Sequence, residues 1–155
     1  MKKVKYLAMD VDGTLTDGKI NMSASGELFK SFNIKDGYAI HEMLPKAGII
    51  PVIITGRSSE IVKNRSKEMG VDEVSQGVSD KTEALKSVTD DLSLVAFIGD
   101  DLNDYDCMNK VKMSGGIVGC PADAADEVKA LSDFVSTKNG GDGAVREFIE
   151  WIIKQ

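Results

Sequence analysis

The chain has 155 residues, 42% of them hydrophobic and 28% charged, which is material for one folded domain with a sizeable core and rules out a disordered polymer. Nineteen Lys and Arg against 25 Asp and Glu leave a formal charge of −6, so the whole molecule lacks the electrostatic footprint of a nucleic-acid binder. No apolar run is long enough to span a bilayer, and two cysteines, Cys107 and Cys120, build no disulfide framework.

Met1-Lys2-Lys3 leads at once into a short strand pattern instead of an apolar signal segment, so the expected compartment is the reducing cytoplasm. The first apolar run is Val4–Met9. After it, Asp17–Asn33 is too rich in Gly, Ser and Asn for a helix and reads as two strands, Lys19–Met22 and Glu27–Phe32, forming a hairpin that projects from the sheet edge. From there helix-period segments alternate with short apolar runs. The helices are expected at Gly37–Ala47, Ser58–Met69, Asp80–Asp91, Asp104–Lys110, Ala122–Leu131 and Gly143–Ile153. The strands between them are Ile49–Ile54, Val71–Gln76, Leu94–Ile98, Met113–Val118 and Phe134–Ser136. Asp36, Ser58, Asp80 and Asp142 stand where N-caps belong, and Gly48 and Gly70 where helices stop. Continuous apolar strands between helices imply a doubly wound α/β fold with a parallel sheet covered on both faces, as one domain over residues 1–155 with its hairpin at about 17–33.

Ligands of such sheets bind beyond the carboxyl ends of the strands, and the first strand ends in Asp10-Val11-Asp12-Gly13-Thr14-Leu15-Thr16. Side chains at i and i+2 of an extended segment face the same way, so Asp10 and Asp12 share a pocket, and two adjacent acids repel unless a cation or a shared proton relieves them. Aspartates are also common turn formers, and the other strand ends decide between the readings. Ile49–Ile54 ends in Thr55-Gly56-Arg57, a hydroxyl and free N–H groups expected at a helix N-terminus, which suits phosphate. Lys81 follows the cap Asp80, where the helix dipole disfavours a positive charge, so it asks for an anionic partner. Leu94–Ile98 ends in Gly99-Asp100-Asp101-Leu102-Asn103-Asp104, an oxygen-only cluster that suits Mg²⁺.

With these four elements in this order, the sequence resembles the haloacid dehalogenase (HAD) superfamily of phosphohydrolases. The likeness narrows to the capless 3-deoxy-D-manno-octulosonate 8-phosphate (KDO 8-phosphate) phosphatases through the short chain, the hairpin, Ile54-Thr55-Gly56-Arg57 and the late Gly140-Gly141-x-Gly143-Ala144-Val145-Arg146-Glu147. This resemblance implies a Rossmann-like fold without a cap domain and a Mg²⁺-dependent phosphomonoesterase acting through an aspartyl-phosphate. It implies Asp10 as nucleophile and Asp12 as general acid and base, with Thr55, Gly56 and Lys81 on the phosphate oxygens. Asp10, the Asp12 backbone carbonyl and Asp100 would hold the metal, with Asp101 and Asp104 orienting metal waters and Lys81 from behind. Arg57, Arg65 and Arg146 are the candidate cations for a substrate carboxylate, Arg65 and Arg146 better than Lys63. The partner is a small sugar phosphate, neither nucleic acid nor membrane, and the assembly a homotetramer in which a neighbour helps close each site.

Gly119-Cys120-Pro121-Ala122-Asp123-Ala124 is closer to domains acting on nine-carbon sialic-acid-type sugar 9-phosphates, so the keto-acid sugar stays open between the two. Two readings of other classes are a phospho-receiver and a non-catalytic tetramerising module. A receiver carries its phosphorylated aspartate after the third strand, whereas the acids here follow the first and fourth runs. A structural module has no use for Asp10, Asp12, Thr55, Lys81 and Asp100 together. His41 reads as a packing or surface residue.

Overall fold

The computed structural model describes residues 3–155, so the part of the N-terminal reading that rests on Met1 and Lys2 lies outside the described residues. In chain order, β1 (Tyr6–Met9) is followed by a separate antiparallel hairpin, β2 (Asn21–Ser23) and β3 (Gly26–Phe29). A continuous helical run then covers 34–46, made of α1 (Ile34–Tyr38), a π-helical turn (Ala39–Met43) and α2 (Leu44–Lys46). Pro45 has no N–H to donate, and the turn before it widens, with the Leu44 N–H reaching the Ala39 carbonyl five residues back. Next come β4 (Ile50–Ile54), α3 (Glu60–Glu68), β5 (Glu73–Ser75), α4 (Lys81–Lys86), a 3₁₀ turn (Leu92–Leu94) and β6 (Val95–Ile98). The chain ends with α5 (Leu102–Met113), β7 (Ile117–Cys120), α6 (Asp126–Leu131), β8 (Phe134–Val135) and α7 (Ala144–Ile153).

The six-stranded sheet has the order β5-β4-β1-β6-β7-β8, and every neighbouring pair is parallel. Alternate side chains of each strand divide between two apolar layers, which is the doubly wound arrangement expected. Leu7, Met9, Ile53, Ala96 and Ile98 pack with Ile40, Leu44, Val62, Val145, Phe148 and Ile152 on the face covered by the 34–46 run, α3 and α7. Ala8, Val52, Ile54, Val95, Phe97 and Val118 pack with Leu85, Met108, Val111 and Val128 on the face of α4, α5 and α6. Among the described residues no helix is long and apolar enough to cross a membrane.

Several boundaries differ from expectation, for identifiable reasons. Asn33, not Asp36, caps α1, accepting from the Lys35 and Asp36 N–H groups. The Asp36 carboxylate instead accepts from the Arg146 backbone N–H, so it caps α7 from across the fold; α7 begins after Gly143, at φ 103°, not after Asp142. Ser59 replaces Ser58 as the cap of α3. A reciprocal Asp101–Asp104 capping box starts α5 early, and the helix runs through Met113, the residue expected to open β7. α4 stops at Lys86, well short of Asp91. α6 starts late because the preceding backbone is committed elsewhere: Ala122 N–H bonds the Lys138 carbonyl and Ala125 N–H the Asp100 carbonyl. The hairpin does not leave the sheet edge. β1 pairs with β4 on one side and β6 on the other, so the segment that follows rises from the middle of the sheet, over its carboxyl ends.

Candidate active site

The strand order reverses at β1, where the chain crosses to β4 on one side and β6 on the other, and this opens a crevice at the carboxyl ends of three adjacent strands. Asp10 follows β1, Thr55 follows β4 and Asp100 follows β6 by two residues, so sheet topology alone brings these groups together. The Asp10 N–H bonds the Ile98 carbonyl at 3.1 Å, which continues the β1–β6 ladder one residue into the loop. The loop then curls around a single carbonyl, Val11, which accepts from the N–H groups of Thr14, Leu15 and Thr16. Gly13 is at φ 88°, and a Cβ there would fall 1.9 Å from Asp100 Oδ2. Glycine is required at this position because the Asp100 carboxylate lies against its bare backbone. Thr14 Oγ1 donates to Asp100 Oδ1 at 3.0 Å and fixes that carboxylate from the same loop.

Lys81 opens α4 and has the anionic partners its position demanded. Its Nζ donates to Asp10 Oδ1 at 2.8 Å and to Asp104 Oδ1 at 2.6 Å, with the side chain 4% exposed. Burial disfavours the lysine cation, but the two carboxylates outweigh it and hold its pKa above the usual range. The second Asp104 oxygen accepts the Asp100 N–H at 3.0 Å, so this carboxylate ties Lys81 to the start of α5. Asp101 is an exposed cap accepting from the Leu102 N–H, and of the two acids assigned to orient Lys81 only Asp104 bonds it.

Burial is the leading influence on all three acids facing the crevice. It lifts Asp10 to about 7 against the pull of Lys81, and lifts Asp100 and Asp104 to about 6. One carboxylate oxygen from each of the three lies within 4.8 Å of the others. Both Asp104 oxygens accept hydrogen bonds, whereas Asp10 and Asp100 accept from Lys81 and Thr14 at one oxygen each, which makes those two the better placed to take a ligand. An all-oxygen donor set under mutual repulsion fits a hard divalent cation such as Mg²⁺.

Thr55 is 2% exposed, and its backbone is fixed by bonds to the Ser75 carbonyl and the Val78 N–H. No protein group bonds its hydroxyl among the described residues. Thr55 and Gly56 lie in the loop before α3, whose cap Ser59 stands one residue beyond the expected Ser58.

Asp12 meets a group that sequence reasoning missed. Lys30, just past β3, donates to Asp12 Oδ1 at 2.5 Å and contacts Glu27 Oε2 at 3.0 Å, while Glu27 accepts from the Ser59 hydroxyl at 2.8 Å. A lysine on an exposed hairpin ordinarily reads as solvated. The clue was topological, since a hairpin inserted after a central strand must overhang that strand's carboxyl end.

The three candidate arginines do not touch the site carboxylates within the chain. Arg57 is half-exposed, with its guanidinium 3.9 Å from Glu27. Arg65 lies over the Phe32 ring, 3.8 Å from Glu68, with its Nε buried and unbonded. Arg146 stacks over Tyr38 and donates from Nε to Glu150 at 2.5 Å. Lys63 is exposed beside Glu60, and His41 is exposed beside Glu42.

No family model matches the chain. It is 37% identical over 156 residues to the 3-deoxy-D-manno-octulosonate 8-phosphate phosphatase of Escherichia coli K12, an alignment covering 98% of this chain and 80% of that protein. The crystal structure of the Moraxella catarrhalis phosphatase of the same name, in complex with a magnesium ion, a phosphate ion and KDO, superposes with a TM-score of 0.90 at 41% identity, over 99% of this chain and 87% of that one. A structure from Legionella pneumophila, described as a putative HAD superfamily (subfamily III A) hydrolase, superposes with a TM-score of 0.89 at 32% identity, over 99% and 84%.

Proposed function

Because the chain belongs to the 3-deoxy-D-manno-octulosonate 8-phosphate phosphatase family, within the capless HAD hydrolases, we propose that it hydrolyses KDO 8-phosphate to KDO and inorganic phosphate with Mg²⁺ as cofactor. The observation that carries this reading is the buried group at the end of β1. A carboxylate, Asp10, sits beside a cation, Lys81, and one of its oxygens lies within 4.8 Å of one from each of Asp100 and Asp104, a grouping that can hold a cation.

In this reading Asp10 attacks phosphorus in line, and the P–O bond to the sugar breaks as the aspartyl-phosphate forms. The Asp12 carboxyl gives its proton to the leaving sugar oxygen, then takes one from the water that attacks the aspartyl-phosphate. Lys81, the Thr55 hydroxyl and the Gly56 N–H take the non-bridging oxygens, where charge spreads in the transition state. Asp104 keeps Lys81 extended into the crevice. Mg²⁺, held by Asp10, Asp100 and the Asp12 backbone carbonyl, offsets the repulsion between an anionic nucleophile and a phosphate dianion. Arg57, Arg65 and Arg146 remain the candidates for the sugar carboxylate, the last two from a neighbouring subunit.

The segment that suggested a nine-carbon sugar has structural work in this chain. Cys120 is fully buried, and the Asp123 carboxylate accepts the Gly140 N–H at 3.0 Å, pinning the Gly140-Gly141 turn against the Gly13 loop. It gives no reason to prefer the 9-phosphate. We further place the enzyme in a homotetramer in the cytoplasm. Met22, Leu28 and Phe29 on the hairpin and Ile34 and Tyr38 on α1 are each more than half exposed, a large apolar surface for a lone chain. Phosphate release from KDO 8-phosphate, a sialic acid 9-phosphate and hexose phosphates, with Mg²⁺ and with EDTA, tests the reading. A preference for a substrate other than KDO 8-phosphate contradicts it.

A further inference from the structure

Lys30 has no part in the scheme above, yet it is among the most constrained charges in the molecule. Its side chain is 2% exposed. A lysine on a surface hairpin normally extends its ammonium into water, and burying it is tolerated only with close ionic partners. Here there are two, Asp12 at 2.5 Å and Glu27 at 3.0 Å. Glu27 is in turn held by the Ser59 hydroxyl at 2.8 Å, with the Arg57 guanidinium 3.9 Å away. Hydrogen bonds and ion pairs therefore link the loop carrying Asp10 and Asp12, through the hairpin, to the segment that follows Thr55 and Gly56.

The consequence falls on Asp12. An acid–base carboxylate must present one oxygen to the leaving group and then to water, and a free carboxylate exchanges its oxygens by rotation about its last torsion. Lys30 engages Oδ1 alone, and no other side chain bonds the Asp12 carboxylate among the described residues. We propose that Lys30 is a positioning residue of the phosphatase reaction, holding Asp12 Oδ1 so that Oδ2 faces the reacting atoms. Glu27 and Ser59 fix Lys30 from the far side, so the hairpin is part of the acid–base apparatus as well as a surface for assembly. The inference rests on the assignment of Asp12 as general acid and base.

Lys30→Met removes the cation at similar length, and Lys30→Arg restores it. In steady state, Lys30→Met is expected to lower kcat about tenfold or more with both KDO 8-phosphate and p-nitrophenyl phosphate, with KM changed less than about threefold, because water activation is common to both substrates. In a rapid-quench first turnover, p-nitrophenolate release needs little protonation and is expected to slow less than about threefold. Lys30→Arg is expected to recover at least about a third of the lost kcat. A folded Lys30→Met enzyme with kcat within about twofold of wild type overturns the proposal, and so does a loss confined to KM for the sugar phosphate, which would make Lys30 a substrate ligand. Should Lys30→Met not fold, Glu27→Gln, which loosens Lys30 from the opposite end, decides by the same criterion: lower kcat at constant KM supports the proposal, and unchanged kcat overturns it. Asp12→Asn separates this inference from its premise. If that variant turns over normally, the acid–base assignment fails and the inference with it; if it is inactive while Lys30→Met is normal, only the inference fails.

Discussion

Gly13→Ala adds one methyl group to the centre of the site, where the backbone conformation and the Asp100 carboxylate both oppose it. Gly13 is at φ 88°, where an L side chain costs about 1–2 kcal/mol. The new Cβ would stand 1.9 Å from Asp100 Oδ2, so the carboxylate must retreat by more than about 1 Å to reach van der Waals contact. That retreat breaks the 3.0 Å bond from Thr14 Oγ1, worth about 1.5–3 kcal/mol to a charged acceptor. The reduced unfolded-state entropy of alanine returns less than about 1 kcal/mol. A net loss of about 2–4 kcal/mol corresponds to a Tm lower by roughly 5–15 °C for a chain of this size. Function suffers more than stability, because Asp100 is a proposed metal ligand and a displacement of this size costs on the order of 100-fold in rate. The assay is a thermal melt together with turnover as a function of Mg²⁺ concentration. The variant is expected to need much more Mg²⁺ for half-maximal rate. A melt within about 2 °C of wild type and an unchanged Mg²⁺ requirement would refute the claim that Asp100 lies against bare backbone at Gly13.

Asp10→Asn is expected to stop phosphate release while circular dichroism shows a folded chain; retention of about a tenth of wild-type turnover contradicts its role as nucleophile. EDTA should abolish activity and Mg²⁺ restore it, whereas Ca²⁺, with looser and more variable coordination, should bind without supporting turnover, as measured by phosphate release after metal exchange. Asp36 gives a pH signature away from the site. Burial raises its pKa to about 6, against the Arg146 and Gly143 backbone N–H groups that lower it, and the unfolded reference is 3.8. The native state therefore holds the proton more tightly, and the stability from this group, present below about pH 4, is lost as pH rises through about 6. Urea melts of wild type minus Asp36→Asn should fall across that window by up to about 3 kcal/mol, and a flat difference contradicts the burial argument. Leu28→Lys with Phe29→Glu on the hairpin should reduce the particle size seen by light scattering, and an unchanged size places the assembly surface elsewhere.

What the sequence made legible is what local chemistry writes into local order. Six apolar runs between capped helices give a doubly wound sheet, and once β1 is central the acids of residues 10–12, Thr55 and Asp100 must converge. Lys81 was legible by a mismatch, since a cation at a helix N-terminus made sense only with anions nearby, and Asp10 and Asp104 supply them. Features that depend on distant pairing were not legible. Asp36 looks like the cap of its own helix until α7 is seen 110 residues later in the chain, with its N-terminal N–H groups turned toward it. Lys30 looks like a solvated hairpin charge until the hairpin is known to overhang Asp12. The hairpin was misplaced at the sheet edge because strand order is a tertiary property that periodicity does not carry.

The proposed mechanism turns on phosphorylation of Asp10 by KDO 8-phosphate. The most direct test is to quench the enzyme in acid during turnover of that substrate, reduce with borohydride, and sequence the peptide containing residue 10 by mass spectrometry. An acyl phosphate on Asp10 is converted by this reduction to homoserine at that position. Homoserine is expected at residue 10, dependent on Mg²⁺ and absent from Asp10→Asn. Steady turnover with the reduction product at another residue, or at none, would contradict it.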